Sequence, residues 1–355
     1  MNRLQRARAE IEQKGYDALY ITSEINQRYV TDFSFTDGSV LITHEKSYVI
    51  TDFRYIEAAK KQVVGEYEII TRPNGNYLHD LCCENNVKTL AFEAGDISYS
   101  AFKSLEERLP GIKLEPSYGL IEELRMYKEP GEVESIVAAQ RIAERAFAEL
   151  IPEIRRGMYE TEIALELEYK MRKLGAEDKS FETIAVSGSA SALPHGVPRP
   201  QPIENGFFTF DFGALVNGYH SDMTRTIVIG KADEEMKRLY NTVLEAQLAA
   251  EAVITEGYKN ADADKTARDI IENAGYHGCF GHSLGHGVGL EIHEAPGLHG
   301  SAGETTLKVG QIVTVEPGIY IEGKYGCRIE DMMLITPGGA ELLTDCPKEL
   351  IELDI

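Results

Sequence analysis

The sequence predicts two domains, an α/β domain over residues 1–127 and an α+β domain over residues 128–355 that is built from two related halves. The length of 355 residues exceeds that of most single domains. Short β-type runs alternate with helical-period stretches up to about residue 125, which is typical of an α/β layer. Beyond residue 130, one arrangement of two helices and a hairpin occurs twice, which indicates an internal duplication and a pseudo-twofold fold.

The first domain opens with an amphipathic helix. Leu4, Ala7 and Ile11 share one face of this helix, and Gly15 ends it. The β-type runs are DALYIT, SVLIT, SYVITDF, YEIITR and TLAFE, and the helical stretches lie near residues 55–64, 77–85 and 98–108. The alternation breaks at residues 127–131, before a long amphipathic helix that begins at about Glu132, and we place the domain boundary there.

The duplication in the second domain is visible in its glycines. Gly157 and Gly175 bracket one helical stretch after a long helix, and Gly257 and Gly275 bracket another of equal length. Each pair is followed by a hairpin with an acidic residue and two glycines at the same offsets. These residues are Asp211, Gly213 and Gly218 in the first half, and Glu316, Gly318 and Gly323 in the second. Each half therefore donates a carboxylate-bearing hairpin to one central site.

The register of each hairpin follows from its turn. A two-residue turn at Asn217-Gly218 pairs Gly213 with Asp222, which puts Asp211 and Asp222 on one face of the first hairpin. In the second hairpin, a turn at Glu322-Gly323 would put Glu316 and Glu330 on opposite faces. We therefore expect a β-bulge at Gly326 that corrects the register.

Five residues in these segments form a candidate metal-ligand set: Asp211, Asp222, His286, Glu316 and Glu330. Four carboxylates and one imidazole suit Mn²⁺ or a similar first-row ion. Carboxylates that face each other away from water repel unless cations lie between them. Two ions about 3.5–4 Å apart could hold a bridging hydroxide as nucleophile and polarise a carbonyl. The set predicts a metallohydrolase.

Histidines form a second group of candidates. His282 and His286 have a helical spacing, but four nearby glycines argue for an extended strand or loop instead. His286 is the preferred ligand because it lies between glycines that relieve crowding at a metal. His282 and His293 are then candidate hydrogen-bond donors to a substrate. His195 ends the Ser-, Gly- and Pro-rich loop AVSGSASALPHG, which by itself would be an ordinary turn.

Composition excludes several classes of function. A net charge of −22 argues against nucleic acid and anionic membranes as partners. The five cysteines show no C-x-x-C spacing, which is typical of free thiols in a reducing compartment. The N-terminus lacks the apolar core of a signal peptide, and no later stretch is long enough to span a bilayer. We therefore expect a cytoplasmic enzyme.

Four segments resemble the pita-bread metallopeptidases, a family that includes aminopeptidase P, prolidase and methionine aminopeptidase. The segments are FDFGALVNGYHSDMTRT, GHSLGHGVGLEIHE, VEPGIYIEGKYGCRIED and ETIAVSGSASALPHG. The N-terminal part, with RYVTDF and ITDFRY, resembles the creatinase-type domain of the proline-specific members. The resemblance covers nearly the whole chain.

The resemblance implies a role for each candidate. Asp211 would bind one metal, His286 and Glu316 the other, and Asp222 and Glu330 would bridge the two. Glu316 would also carry the proton of the bridging water. His293 would stabilise the oxyanion, His282 would contact the substrate backbone, and His195 would close over the substrate. Arg328 and Thr224 would orient the bridging acids.

The implied activity is hydrolysis of the bond before proline, by two divalent ions, with Mn²⁺ first and Co²⁺ or Zn²⁺ as alternatives. Aminopeptidase P-like cleavage of longer peptides is the first hypothesis, because Gly297 occupies a position where some prolidases carry an Arg for the substrate carboxylate. The alternative is an Xaa-Pro dipeptidase. A metal-free creatinase-type hydrolase and a non-catalytic binding protein rank lower, because all five ligands are present. Peptides with proline second are the expected partners, and a homodimer is the expected assembly.

Overall fold

The computed structural model describes residues 1–72 and 74–355, which form two compact units, Met1–Arg125 and Met126–Ile355. Among these residues, no helix combines the length and apolarity needed to cross a bilayer. In the first unit the helices are α1 Arg3–Gln13, α2 Glu24–Thr31, α3 Ile56–Gln62, α4 Tyr77–Glu84, α5 Tyr99–Arg108 and α6 Leu120–Arg125. Its strands are β1 Ala18–Ile21, β2 Gly38–Thr43, β3 Ser47–Thr51, β4 Glu68–Thr71, β5 Thr89–Glu93 and β6 Lys113–Ser117.

The first unit has one six-stranded sheet in the order β4-β3-β2-β1-β5-β6. The pairs on either side of β2 are antiparallel and the others are parallel. Helix α1 begins with a capping box, because the side chains of Asn2 and Gln5 each accept a hydrogen bond from the other residue's backbone N–H. Its face of Leu4, Ala7 and Ile11 is buried, as the periodicity predicts.

In the second unit the helices are α7 Pro130–Leu150, α8 Glu160–Lys173, α9 Glu234–Val253 and α10 Asn260–Asn273, and two short 3₁₀ turns span Ile151–Glu153 and Gly188–Ala192. The strands before α9 are β7 Asp178–Lys179, β8 Ile184–Ser187, β9 Gly206–Phe212, β10 Ala214–Val216, β11 Tyr219–His220 and β12 Met223–Ile229. The strands after α10 are β13 Gly285–Gly287, β14 Glu294–Leu298, β15 Ile312–Val315, β16 Gly318–Ile321, β17 Tyr325–Arg328, β18 Asp331–Thr336, β19 Gly339–Leu342 and β20 Glu352–Leu353.

The strands of the second unit form four sheets, with the orders β11-β10-β7, β20-β12-β9-β8, β14-β13-β15-β18-β19 and β16-β17. The longer helices pack on these strands around two cores. Phe147, Phe210 and Phe212 dominate the first, with Phe147 lying 5.4 Å from each of the other two rings. The second core is largely aliphatic and includes Leu239 and Val243 of α9.

The duplicated architecture matches the prediction. Helices α8 and α10 both have 14 residues, and the glycines that bracket them all have positive φ, between +80° and +112°. Only glycine adopts that conformation without strain, which explains why glycines reveal the repeat. An isolated β-bridge precedes each helix at the same offset, Tyr159 with Pro202 and Lys259 with Thr306.

Candidate metal centre

One cavity in the second unit, of about 620 Å³, contains every residue that the sequence analysis selected as a ligand or catalytic group. Its lining includes Asp211, Asp222, His286, Glu316, Glu330, His195, His282, His293 and Arg328. Phe181, Ile184, Val197, Pro198 and Ile292 form an apolar part of the wall. The carboxylates and the apolar wall face the same space.

The first hairpin positions two of the acids. Met223 of β12 pairs with Phe212 of β9 and Thr224 pairs with Asp211, so the same register puts Gly213 opposite Asp222, as predicted. A Cβ at Gly213 would lie 1.8 Å from the carbonyl oxygen of Ser221, which only glycine avoids. Asp211 and Asp222 are therefore diagonal neighbours that face the cavity.

The second hairpin differs from the prediction. Ile321 pairs with Tyr325, so the turn has three residues, 322–324, rather than two. The pairs on either side of the two acids share one register: Gly318 pairs with Arg328, and Val315 pairs with Asp331. This register puts Glu316 opposite Glu330. The bulge expected at Gly326 is wrong, because the extra residue lies in the turn. A Cβ at Gly326 would instead lie 2.4 Å from the Ser191 carbonyl oxygen.

His286 reaches the cavity from β13, an extended segment as predicted. Its flanking glycines serve strand packing rather than space at a metal. A Cβ would lie 2.0 Å from the Thr314 carbonyl oxygen at Gly285, and 2.4 Å from that of Ala295 at Gly287. The ring Nδ1 lies 3.0 Å from the Gly287 carbonyl oxygen and donates to it, which leaves Nε2 facing the acids as an acceptor.

The potential ligand atoms converge. His286 Nε2 lies 3.5 Å from Asp222 Oδ2 and 3.5 Å from Glu316 Oε1. One ligand atom from each of Asp222, His286 and Glu330 lies within 4.8 Å of the other two. These distances group Asp222, Glu330, Glu316 and His286 around one point, with Asp211 on the adjoining strand.

The electrostatics of this group call for cations. Burial, reinforced by the neighbouring carboxylates, raises the pKa of Asp222 and Glu330 well above the usual range, and burial raises the pKa of Glu316 to about 8. Burial also lowers the pKa of His286 to about 4, which favours the neutral, ligating form. Asp211 Oδ1 and Asp222 Oδ1 are buried and accept no hydrogen bond from any described residue. Divalent cations would satisfy these oxygens, so the donor set fits a metal centre.

Arg328 and Thr224 surround the acids as a connected pair. Thr224 Oγ1 donates to Glu330 Oε2 at 2.7 Å, so Thr224 contacts one of the two acids that the resemblance assigns as bridges. Arg328 Nη2 donates to Asp211 Oδ2 at 2.5 Å, and its Nε donates to Thr224 Oγ1 at 3.0 Å. Arg328 thus binds Asp211 directly and is linked to Glu330 only through Thr224.

His282 is held by protein groups at both ring nitrogens. Nδ1 donates to the Ser283 carbonyl oxygen at 2.8 Å, and Nε2 lies 2.9 Å from the Tyr320 hydroxyl. Because Nδ1 carries the proton of the neutral ring, Nε2 accepts from the Tyr320 hydroxyl, and donation from Nε2 to a substrate would require a change of tautomer or protonation. Tyr320 also accepts from Arg328 Nη1 at 2.7 Å, and sequence reasoning missed it. A Cβ at Gly318 would lie 2.5 Å from the Tyr320 hydroxyl, so this glycine leaves room for the Tyr320 ring.

His195 and His293 are exposed at the cavity wall, where a substrate can meet them. The His293 ring centroid lies 4.3 Å from that of His286. Glu294, the next residue, forms a nearly fully buried ion pair with Lys128, with 2.5 Å between Oε1 and Nζ. Lys128 lies in the segment where the sequence predicts the domain boundary, and nothing in its local pattern indicates a partner 166 residues away.

Both parts of the chain match known protein families. The profile of metallopeptidase family M24 matches residues 134–337, and that of the creatinase/prolidase N-terminal domain matches residues 3–127. An Xaa-Pro dipeptidase of Pyrococcus furiosus is 38% identical over 352 residues, covering 98% of this chain and 99% of that protein.

Solved structures agree as well. An Xaa-Pro dipeptidase from Bacillus anthracis superposes with a TM-score of 0.95 at 44% identity, covering 99% of both chains. An X-Pro aminopeptidase from Thermotoga maritima has a TM-score of 0.90 at 36% identity, covering 97% of this chain and all of that one. One of these proteins is a dipeptidase and the other an aminopeptidase, although their folds are closely similar.

Proposed function

The chain belongs to metallopeptidase family M24, and on that premise we propose that it hydrolyses the bond before proline in Xaa-Pro dipeptides. The family and the fold indicated by the sequence resemblance are confirmed, and the chain is a peptidase. The family implies divalent metal ions, and a group of residues that could hold them is present.

The comparisons favour the dipeptidase alternative over the aminopeptidase P hypothesis. The Bacillus anthracis relative is an Xaa-Pro dipeptidase at 44% identity, above the 36% of the Thermotoga maritima aminopeptidase, and the Pyrococcus furiosus relative is also an Xaa-Pro dipeptidase. The structure also weakens the argument from Gly297. This residue lines a second cavity, of about 510 Å³, so the lack of a side chain there does not bear on the catalytic cavity.

The observation that carries the proposal is the convergence of five ligand residues in one cavity. Two divalent ions, Mn²⁺ in our proposal, would be held by Asp211, Asp222, His286, Glu316 and Glu330. Ions bound there supply an activated water and a polarised scissile carbonyl at neutral pH.

The surrounding residues would handle protons and charge. The Glu316 carboxylate takes the proton released by the attacking water and returns it to the proline nitrogen, which leaves as an amine. His293 donates to the carbonyl oxygen as negative charge develops on it. Arg328 holds Asp211 in place through the hydrogen bond at 2.5 Å. An Xaa-Pro bond has no N–H, so a site that acts on the carbonyl and the ring nitrogen does not need one.

The apolar wall supports the preference for proline. Phe181, Val197 and Ile292 line the cavity beside the carboxylates. A pyrrolidine ring packed on these side chains would be removed from water, which favours binding. We further propose that the protein is a homodimer in the cytoplasm. The five free cysteines are consistent with a reducing compartment. Light scattering on the purified chain tests the dimer.

The specificity is tested by measuring kcat/KM for Ala-Pro, Ala-Pro-Ala and Ala-Ala after chelation and reloading with Mn²⁺. We expect Ala-Pro to be the best substrate, the chelated protein to be inactive, and Glu316→Gln to be inactive after reloading. Glu322→Gln, an exposed residue of the adjoining turn, is the matched control and should behave like the unmodified chain. Preference for Ala-Pro-Ala would indicate an aminopeptidase, and equal cleavage of Ala-Ala would refute the proline specificity.

A further inference from the structure

Glu160, the first residue of α8, is fully buried and does not line the catalytic cavity, yet it is surrounded by donors. Its Oε1 accepts from the Ser187 amide at 2.8 Å and from the Ser187 hydroxyl at 2.7 Å. The Arg199 guanidinium donates to both carboxylate oxygens, from Nε at 2.9 Å and from Nη2 at 2.5 Å, and the Arg199 amide donates at 2.9 Å. One carboxylate thus receives five hydrogen bonds.

Ser187 and Arg199 are the two ends of one loop. Ser187 is the last residue of β8, and residues 188–198, which we call the His195 loop, connect it to Arg199. Arg199 Nη2 also donates to the Ser187 carbonyl oxygen at 2.9 Å, so the ends are joined directly as well as through Glu160. The base of the loop is therefore closed by charge-assisted hydrogen bonds, which are the stronger kind.

The apex of the loop is open by contrast. Leu193 is 59% exposed and Val197 is 77% exposed, on either side of the exposed His195. Arg328 Nη1 reaches the Pro194 carbonyl oxygen at 3.3 Å, a long hydrogen bond. On its N-terminal side the apex is also held by the buried 3₁₀ turn, where the Gly326 amide donates to the Ser191 hydroxyl at 3.0 Å. On its C-terminal side the chain runs directly into Arg199, so the direction in which His195 enters the cavity depends on how Arg199 is fixed.

The charge on Glu160 is maintained in place. Burial by itself would raise the pKa of this carboxyl, but the hydrogen bonds from Arg199 and Ser187 hold it below its usual value. The carboxylate is thus ionised at neutral pH beside a cation that can bind both of its oxygens.

We propose that Glu160 and Arg199 are positioning residues for substrate binding: their ion pair closes the base of the His195 loop and so places the His195 imidazole over the cavity. This inference rests on the proposed function, since the substrate that His195 meets is the Xaa-Pro peptide.

The first experiment is a double-mutant cycle on Ala-Pro hydrolysis with Glu160→Gln, His195→Ala and the double variant. Gln fills the same space but cannot form the ion pair. We expect Glu160→Gln to lower kcat/KM about tenfold, mainly through KM, and to add little in the His195→Ala background. Arg199→Lys, which keeps the charge but not the forked geometry, should reproduce the loss. Additive losses in the cycle would overturn the proposal.

The second experiment does not depend on activity. Hydrogen exchange of the metal-loaded chain should become faster at residues 188–198 in Glu160→Gln and unchanged at residues 280–287. The matched control is Glu149→Gln, which breaks the surface pair with Arg145 on α7 and should leave exchange and activity unchanged. Unchanged exchange of the His195 loop in both Glu160→Gln and Arg199→Lys would overturn the proposal. An unmodified chain that fails to cleave Ala-Pro would refute the proposed function but not the exchange result, so the two failures are distinguishable.

Discussion

Glu160 opens α8 in the first half of the second unit, and Asn260 opens α10 at the same place in the second half, three residues after a left-handed glycine in each. Glu160 receives five hydrogen bonds from two segments. Asn260 is also buried, but its Nδ2 donates one hydrogen bond, to the Gly297 carbonyl oxygen at 3.1 Å. Its Oδ1 accepts none from the described residues. The first residue of the helix therefore closes the base of a loop in the first half, through Glu160, but not in the second half.

The second half holds its histidine segment from one turn further along the helix. Arg268 binds Asp264 through two hydrogen bonds, at 3.0 Å and 2.8 Å, and both residues lie on α10. Arg268 then donates to the carbonyl oxygens of Phe280 and His282, at 2.7 Å and 2.9 Å. Asp264 accepts from the Leu284 amide at 3.0 Å. Each half thus uses a carboxylate–arginine pair at a histidine segment, with residues at different positions.

The two carboxylate–arginine pairs differ in the element that carries the arginine. In the first half it lies on the loop, so the pair forms only when the loop is in place. In the second half both partners lie four residues apart on one helix, where such pairs can form before the loop docks. Substitutions in each half test how far the two halves depend on each other.

The largest effect is expected where the halves meet. Asp222→Asn in the first half and Glu330→Gln in the second should each abolish peptidase activity and lower the bound metal content, because both residues are proposed bridges. In the metal-free protein, however, Glu330→Gln should raise the melting temperature, since it removes a buried carboxylate that its neighbours repel. Metal analysis, activity assays and thermal unfolding in chelator check this. Full activity of either variant would contradict the bridging assignment.

A stability effect of several kcal/mol is expected at the ion pair that joins the halves. Lys128 precedes α7 of the first half and Glu294 lies on β14 of the second, with side chains 1% and 6% exposed. Lys128→Met leaves the Glu294 carboxylate buried without this partner, which typically costs about 3–5 kcal/mol. The double variant Lys128→Met/Glu294→Gln should recover part of the loss. Chemical denaturation measures both, and a double variant as unstable as Lys128→Met would contradict the pairing.

The halves also show what a sequence can and cannot reveal. Gly157, Gly175, Gly257 and Gly275 reveal the duplication because left-handed backbone requires glycine locally. In each hairpin the acid, Asp211 or Glu316, is in turn followed by two glycines at the same offsets. The register of the second hairpin was mispredicted because a two-residue and a three-residue turn differ by one residue that local pattern does not distinguish.

Pairs between distant segments were out of reach for a different reason. Glu160 and Arg199 are 39 residues apart, and neither carries a local signal of the other. Offsets within the repeat would predict the wrong residue in the second half. The position equivalent to Glu160 is Asn260, whereas the carboxylate that binds the histidine segment is that of Asp264. Only the folded arrangement brings these side chains to the histidine segments.

A smaller, local effect is expected at the second-half pair. Arg268→Met removes the donors to Phe280 and His282 and leaves Asp264 without its cation, which should cost about 1–3 kcal/mol of stability. Hydrogen exchange should become faster at residues 280–287 and stay unchanged at residues 188–198, the reverse of the pattern expected for Glu160→Gln. Faster exchange at both segments would mean that the two halves are coupled rather than held separately.

The pH dependence of stability should distinguish Glu160 from Asn260. The pKa of Glu160 is lowered in the folded protein, so its contribution is fully present above the unfolded value, about 4.3, and is lost as pH falls through the folded value. The difference in melting temperature between the unmodified chain and Glu160→Gln should therefore be constant from pH 6 to 8, on the order of several degrees, and shrink below about pH 4. Thermal scans across this range measure it, and a difference that persists at low pH would show that ionisation is irrelevant.

The smallest effect is expected at Asn260→Ala. The substitution removes the hydrogen bond to the Gly297 carbonyl oxygen, but it also removes a buried Oδ1 that has no donor among the described residues. A net hydrogen bond contributes about 0.5–1.5 kcal/mol and an unsatisfied buried acceptor costs about 1–3 kcal/mol, so the two changes oppose each other and should largely cancel. Chemical denaturation should show a change within about 0.5 kcal/mol, independent of pH, beside a clear loss for Glu160→Ala. If Asn260→Ala cost as much as Glu160→Ala, then Oδ1 must have a donor such as an ordered water, and the second half would use its duplicated position as the first half does.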